Sequence, residues 1–318
     1  MGLAICSGTA LRRNELQHST PKKGLLEMRF SLVISTLARP VEVEAFLQGL
    51  EKQTYKDFEV ILVDQSRSNI YDDIVERYSA KWPLKHLRPD ISGLRYARNF
   101  GASVAVGDII AFPDDDCIYE PDTLERVNAY FCKTDDTGFI TGAVLNFDGA
   151  PTTMGRWLTR SQNLNQHNIW TGLIEFNFFI PRQMFEKIDR FDENLGIGAP
   201  YGAAEGPDLA LRLMAAGSQG YHDRTLLVRH MDKPTTLSGE RAYDYGTGMG
   251  YVLRKNHATL KTVATFFIRP FAGVCLSLVR RQSEKAAYYF KTLQGRLSGY
   301  FCRAASEAAR HNSGKILS

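Results

Sequence analysis

The 318-residue chain is poor in several features that would assign it to a class at once. Its five cysteines, Cys6, Cys117, Cys132, Cys275 and Cys302, include no Cys-x-x-Cys pair and no zinc-like spacing. That odd, scattered set argues against a disulfide framework and reads as reduced thiols in a cytoplasmic protein. Neither sign of charge dominates, with 39 Lys and Arg against 35 Asp and Glu and a formal net charge of +4. Nucleic-acid binders usually need a concentrated basic stripe, so nucleic acid is not an expected partner. Internal repeats and low-complexity tracts are absent too. No apolar core of signal-peptide length precedes Lys22-Lys23, and residues 1–27 read as a polar, disordered leader. What is present is an ordinary globular balance, 44% hydrophobic and 23% charged, enough for one large domain with a helical extension.

Regular patterning starts at Phe30. Phe30–Thr36 is an apolar run of buried-strand type, and Pro40 suits the first turn of a helix. Val43, Phe46, Leu47 and Leu50 then recur at i, i+3, i+4 and i+7, one apolar face. A second buried strand, Phe58–Val63, closes on Asp64, and further strands are expected at Leu84–Leu87 and Asp108–Phe112, with helices between. Such alternation predicts β-α-β units and a mostly parallel sheet, which places ligand sites beyond the carboxyl ends of its strands. Thr36, Asp64 and Asp114 all stand at such ends. Farther on, strands are expected at 138–145, 170–180 and 225–228. A helix is expected from Pro207 after a glycine-rich loop (196–206), and helical structure from about Thr247.

Asp114-Asp115-Asp116 follows the fourth strand. Three adjacent carboxylates repel one another, and a divalent cation removes that cost. Carboxylate oxygens completed by phosphate oxygens are the usual ligands of Mg²⁺ and Mn²⁺. If strand geometry continues, Asp114 and Asp116 share one side and Asp115 faces the other. The alternative is an acidic surface turn.

Four pieces, Val33–Pro40, Gln53–Ser66, Gly93–Leu124 and Arg190–Leu213, together with His230, resemble family 2 glycosyltransferases in order and in content. That resemblance implies an α/β GT-A fold with a C-terminal helical extension, and inverting sugar transfer from a nucleotide-diphosphate donor, a UDP-sugar favoured. It implies Mn²⁺ or Mg²⁺ as cofactor and a saccharide or lipid-linked saccharide acceptor in cell-surface polysaccharide synthesis. Thr36 and Arg39 match the first nucleotide-contacting loop, Asp64 the residue recognising the base, and Arg95, Arg98 and Asn99 the lining of the nucleotide pocket. Asp116 matches the principal metal ligand, with Asp114 nearer the ribose and donor sugar, Asp115 beside them in the donor site, and His230 completing the metal or diphosphate site. The base that takes the acceptor proton is Glu205 or Asp208; ungapped alignment puts Gly206 at the family's usual base position. Cys117 and Gln65 stand where many members carry Asp.

The resemblance divides the chain into a catalytic domain, 28–245, with nucleotide-binding (28–125) and acceptor (126–245) halves, and an extension, 246–318. Tyr245–Gly250 reads as close backbone packing or a flap rather than a phosphate cradle, because the spacing is wrong for one. Trp157, Trp170 and Tyr201 are either core or sugar-stacking groups. Val263–Val279 is apolar but broken by Arg269-Pro270 and flanked by basic residues. It fits helices on the catalytic domain or an interfacial pair on the inner membrane face. Two competing readings are a catalytically inactive nucleotide-sugar-binding or scaffold protein and a sugar-1-phosphate nucleotidyltransferase. The second would carry an early glycine-rich loop with a lysine, where this chain has Ser35–Pro40.

Overall fold

The computed structural model describes residues 27–90, 93–134, 138–152, 157–232 and 238–301. The leader up to residue 26, Cys6, Lys233-Pro234, Cys302 and the rest of the extension after residue 301 lie outside the described residues. Strands β1 (Phe30–Thr36) and β2 (Phe58–Asp64) are buried along their whole length, as continuous apolar strands covered on both faces must be. They pair in parallel with each other and with β3 (Leu84–Leu87) and β4 (Ile109–Ala111), giving the order β3-β2-β1-β4. Between them run α1 (Pro40–Glu51), α2 (Asp72–Ser79) and α3 (Leu94–Ala102). Pro40 opens α1, and Val43, Phe46, Leu47 and Leu50 form its buried face.

After β4 come β5 (Cys117–Tyr119), α4 (Thr123–Phe131), β6 (Phe139–Leu145), β7 (Gln162–Asn163), β8 (Phe178–Pro181), α5 (Arg182–Lys187), α6 (Glu205–Ala215) and β9 (Gly220–His230). The sheet continues from β4 through β8, β6 and β9 to β5, with β7 also on β9. Here it departs from the mostly parallel expectation. Strand β8 is antiparallel to both β4 and β6, and β5 and β7 are antiparallel to β9. Parallel pairing needs a crossover, and the chain reaches β8 through 3₁₀ turns at Ile169–Thr171 and Glu175–Asn177, with no helix. Those turns also replace most of the strand expected over 170–180. The Asn177 side chain accepts from the Ile174 backbone N–H at 2.9 Å and closes the second turn.

Two apolar cores cover the sheet. Phe30, Leu32 and Ile34 point to one, with α1, α2 and α4, while Val33, Ile61 and Val63 point to the other, with α3, α5 and α6.

The C-terminal part is α7 (Gly239–Lys255), α8 (Leu260–Val279) and α9 (Ser283–Phe301), so helix begins ahead of Thr247. The Tyr245–Gly250 run lies inside α7 and is close packing. A Cβ on Gly246 would stand 2.7 Å from the Thr292 carbonyl oxygen, and one on Gly250 would overlap that of Arg296. From the other side, Cβ atoms on Gly295 and Gly299 would overlap the carbonyls of Tyr243 and Thr247. Two helices thus meet backbone to backbone. Gly299→Val is expected to cost about 1–3 kcal/mol through overpacking. The check is a lower urea midpoint with an unchanged slope.

Candidate active site

Register brings the site together. Thr36 pairs with Asp64 across β1 and β2, and Ser35 forms an isolated bridge with Asp114. Cys117 pairs with His230 across β5 and β9, so the end of β9 delivers an imidazole beside the aspartates. Extended geometry stops at Ala111, and the triplet is a bridge residue followed by a turn. The turn still parts the side chains as expected: Asp114 and Asp116 face His230, whereas Asp115 faces Thr36 and Arg39.

Each carboxylate has a positive or donor partner. Arg98 Nη2 donates to Asp114 Oδ1 at 2.7 Å. Thr36 Oγ1 donates to Asp115 Oδ2 at 2.7 Å, and Arg39 Nη1 to Asp115 Oδ1 at 2.6 Å. Arg39 Nη2 also reaches Asp116 Oδ2 at 3.1 Å. His230 Nε2 lies 2.9 Å from Asp116 Oδ1 and 3.8 Å from Asp114 Oδ2. Burial pushes the Asp115 carboxyl up to about 6, opposed by the Thr36 bond and Arg39 and reinforced by Asp116 and Asp114. Burial favours neutral His230, but its bond to Asp116 and the charges of Asp116 and Asp114 outweigh that and raise its pKa.

Asp114, Asp116 and His230 offer ligand atoms all within 4.8 Å of one another. His230 Nδ1 sits 2.7 Å from the Met231 carbonyl oxygen and therefore carries the hydrogen, which leaves Nε2 facing the carboxylates. The ring stacks on Phe176 at 4.6 Å. Two carboxylates and an oriented imidazole suit Mn²⁺, and also Mg²⁺ when phosphate oxygens complete the shell.

Asp64 is fully buried. Its Oδ1 accepts from the Ser66 backbone N–H at 2.8 Å and the Ser66 hydroxyl at 2.5 Å, and its Oδ2 lies 3.2 Å from His86 Nε2. Arg88 Nε lies 3.5 Å from the same Oδ2, so four protein groups surround the carboxylate. Arg95 and Arg98 are buried, and Arg95 Nε and Arg98 Nη1 find no partner among the described residues. Asn99 bridges to the Phe191 backbone and Glu193.

The two base candidates separate. Asp208 is fully buried, and its carboxylate is held by Arg212 Nε at 2.8 Å, Lys255 Nζ at 2.9 Å and Asn256 Nδ2 at 2.8 Å. Glu205 is the first residue of α6, which starts ahead of Pro207. Ala204 before it adopts φ 75°, a strained left-handed conformation for a residue with a side chain. Burial pushes Glu205 up to about 7, Glu175 adds to the rise, and Arg98 and Arg95 oppose it. Arg98, which grips Asp114, is therefore also within electrostatic reach of Glu205. The Glu205 loop leans on α7: Gly202 N–H donates to Thr247 Oγ1 at 3.3 Å, and Tyr201 stacks on Tyr251 at 4.0 Å. Trp170 likewise packs on Phe266 at 4.6 Å, and Trp157 packs against the core.

Sequence reasoning missed four neighbours. Tyr71 OH accepts from the Arg39 backbone N–H at 2.8 Å and lies 3.0 Å from Thr36 Oγ1. Glu175 Oε1 accepts from the Gly206 N–H at 2.5 Å, and His86 and Phe176 flank Asp64 and His230. Only Glu175 carried a signal, as a lone acid in an apolar stretch. Asp116→Asn is expected to weaken Mn²⁺ binding by at least about tenfold. Calorimetry checks it, and unchanged binding would return the cluster to an ion-paired turn.

Comparison with known proteins gives this geometry a context. The family described as glycosyl transferase family 2 matches residues 31–189, half of the chain, and ends before Glu205 and His230. An uncharacterized glycosyltransferase of Haemophilus influenzae is 32% identical over 111 residues, 35% of this chain and 37% of that one. The chain thus matches well under two thirds of the length of its curated relatives. Among solved structures, a mannosyltransferase of Pyrobaculum calidifontis in complex with GDP-Man and Mn²⁺ superposes with a TM-score of 0.57. Its identity is 13%, over 86% of this chain and 88% of that one. S. aureus TarS 1-349 in complex with UDP-GlcNAc superposes with a TM-score of 0.56 at 14% identity, over 87% and 93%. These two establish the GT-A fold, and with the family match over residues 31–189 the conclusion is plain: this chain belongs to glycosyltransferase family 2.

Proposed function

We propose that the chain is a metal-dependent, inverting transferase that moves a sugar from a nucleotide-diphosphate donor, a UDP-sugar favoured, to a saccharide hydroxyl. The acceptor is free or lipid-linked, and the setting is cell-surface polysaccharide synthesis at the cytoplasmic membrane face. The observation that carries this reading is the Asp114–Asp116–His230 cluster on the sheet edge that also presents Asp64 and Thr36. A TarS structure with UDP-GlcNAc and a mannosyltransferase with GDP-Man and Mn²⁺ share the fold and support the donor class.

In this reading Asp64 takes a base N–H in place of Arg88, whose exposed side chain lies 3.5 Å from Oδ2. Arg95 Nε and Arg98 Nη1, buried and without a protein partner among the described residues, suit diphosphate oxygens. Asp114, Asp116 and His230 would hold the cation, whose chemistry is neutralisation of the charge that grows on the leaving diphosphate. Glu205 accepts the acceptor hydroxyl proton as that oxygen bonds to the anomeric carbon from the side opposite the breaking bond to the diphosphate. A carboxyl shifted to about 7 is matched to that task, whereas Asp208 is fully buried and held by three donors, two of them cationic. The glycine-rich loop and α7 also line a cleft of about 720 Å³, with Tyr243, Tyr245 and Arg241, roomy enough for a sugar.

The test combines binding and turnover. Titration with UDP, GDP and dTDP, with and without Mn²⁺, should show one nucleotide bound in a metal-dependent manner. Absence of any binding by folded protein would overturn the donor reading, and binding without transfer or hydrolysis would leave an inactive binding protein. Glu205→Gln is expected to lower kcat by about 10²–10⁴ with nucleotide affinity retained. Because Glu205 acts only when ionised, kcat/KM should rise with pH through about 7 and level off above it. A flat profile across that range would remove Glu205 from the role.

A further inference from the structure

Helix α8 is apolar on two sides. Its inner face is fastened to the protein: Phe266 packs on Trp170 at 4.6 Å, and a Cβ on Gly273 would meet the Tyr289 ring at 2.7 Å. Pro270 inside α8 deprives the Phe266 carbonyl of its usual helical donor. Arg296 of α9 supplies one, since its Nη1 donates to that carbonyl while the guanidinium lies over the Phe266 ring at 4.9 Å. The break in the helix thus doubles as its attachment point.

The outer face has no such partner among the described residues. Leu260, Ala264, Ile268, Phe271, Cys275 and Leu278 are all exposed, Leu260 by 86%, Ile268 by 62% and Phe271 by 58%. At 3.6 residues per turn these six positions fall within about 80° of one another, one continuous outward stripe. Soluble proteins rarely leave so long an apolar stripe in water without a use for it. Charge around it is one-sided. Residues 246–301 contain nine Lys and Arg and a single acid, Glu284, although the whole chain is nearly balanced. Lys261, Arg269, Arg280, Arg281 and Lys285 in this region are exposed.

We propose that α8 lies flat in the interface of an anionic lipid bilayer, with its outward stripe at the acyl boundary and the surrounding basic side chains on lipid phosphates. An apolar face bordered by Lys and Arg is the composition of such in-plane helices. By length and composition α8 would also suffice to cross a membrane. Crossing would place Arg269 near mid-bilayer and strip the Phe266 carbonyl of Arg296, so the in-plane arrangement is the one that keeps the observed contacts. This inference deepens the reading of a lipid-linked acceptor and rests on it for its purpose.

The test is flotation of the full chain with phosphatidylcholine vesicles, with and without phosphatidylglycerol. Binding is expected only with phosphatidylglycerol and should weaken as salt is raised. The double variant Ile268→Glu/Phe271→Glu should reduce partitioning by at least about tenfold, and Arg280→Glu/Arg281→Glu should reduce it too. UDP–Mn²⁺ titration of the same preparations separates the two claims. Retained nucleotide binding shows that a variant is folded, and failure of nucleotide binding in the parent protein would sink the donor reading while leaving the lipid result intact. Equal binding to both vesicles, or binding to neither, overturns the proposal. So does a dimer in light scattering that the stripe variant dissolves, which would assign the stripe to a second copy.

Discussion

Three consecutive carboxylates on one turn govern the arrangement of the catalytic edge. Like charges about 4 Å apart repel by about 4 kcal/mol in a partly buried setting. Asp114, Asp115 and Asp116 are therefore tolerable only where cations and donors converge on them. Arg98 comes from α3, Thr36 from the end of β1, Arg39 from the residue ahead of α1, and His230 from the end of β9. Elements far apart in the chain meet at one point, and their donors and cations offset its negative charge. The same cluster could hold a divalent cation.

The helical extension is tied into this arrangement. Gly246 and Gly250 of α7 lie against Gly295 and Gly299 of α9, so the pair forms a close-packed unit. That unit buttresses the glycine-rich loop through Thr247 and Tyr251 and anchors α6 through Lys255 and Asn256. Ala204, strained at φ 75°, is held between these supports and the Glu175 cap on Gly206. Glu205 thus owes its position to helices that contribute no side chain to the acidic cluster.

Much of the donor half was legible in the sequence. Continuous apolar strands and the α1 stripe are local patterns, and the burial of β1, β2 and α1 follows them closely. Less was legible after residue 125. Where the chain turns back without a crossover helix, hydrophobicity alone does not distinguish a strand from two 3₁₀ turns, which is how residues 170–177 escaped. Asn99 also bridges to Phe191, a tie the sequence does not show because that neighbour in space lies ninety-two positions on. Tyr71, His86 and Phe176 gave no signal, since a side chain that orients another is visible only after both are placed.

The sequence by itself determined the order of strands and helices through the donor half, the acidic triplet at a strand end, and the resemblance that names the chemistry. These depend on periodicity and on neighbouring residues, which short-range physics decides. Tertiary structure alone decided that His230 stands beside Asp116, that Asp208 is held by Arg212, Lys255 and Asn256, and that one face of α8 is left outward. Each of those turns on strand register or helix packing between distant segments, where what counts is which groups are desolvated together.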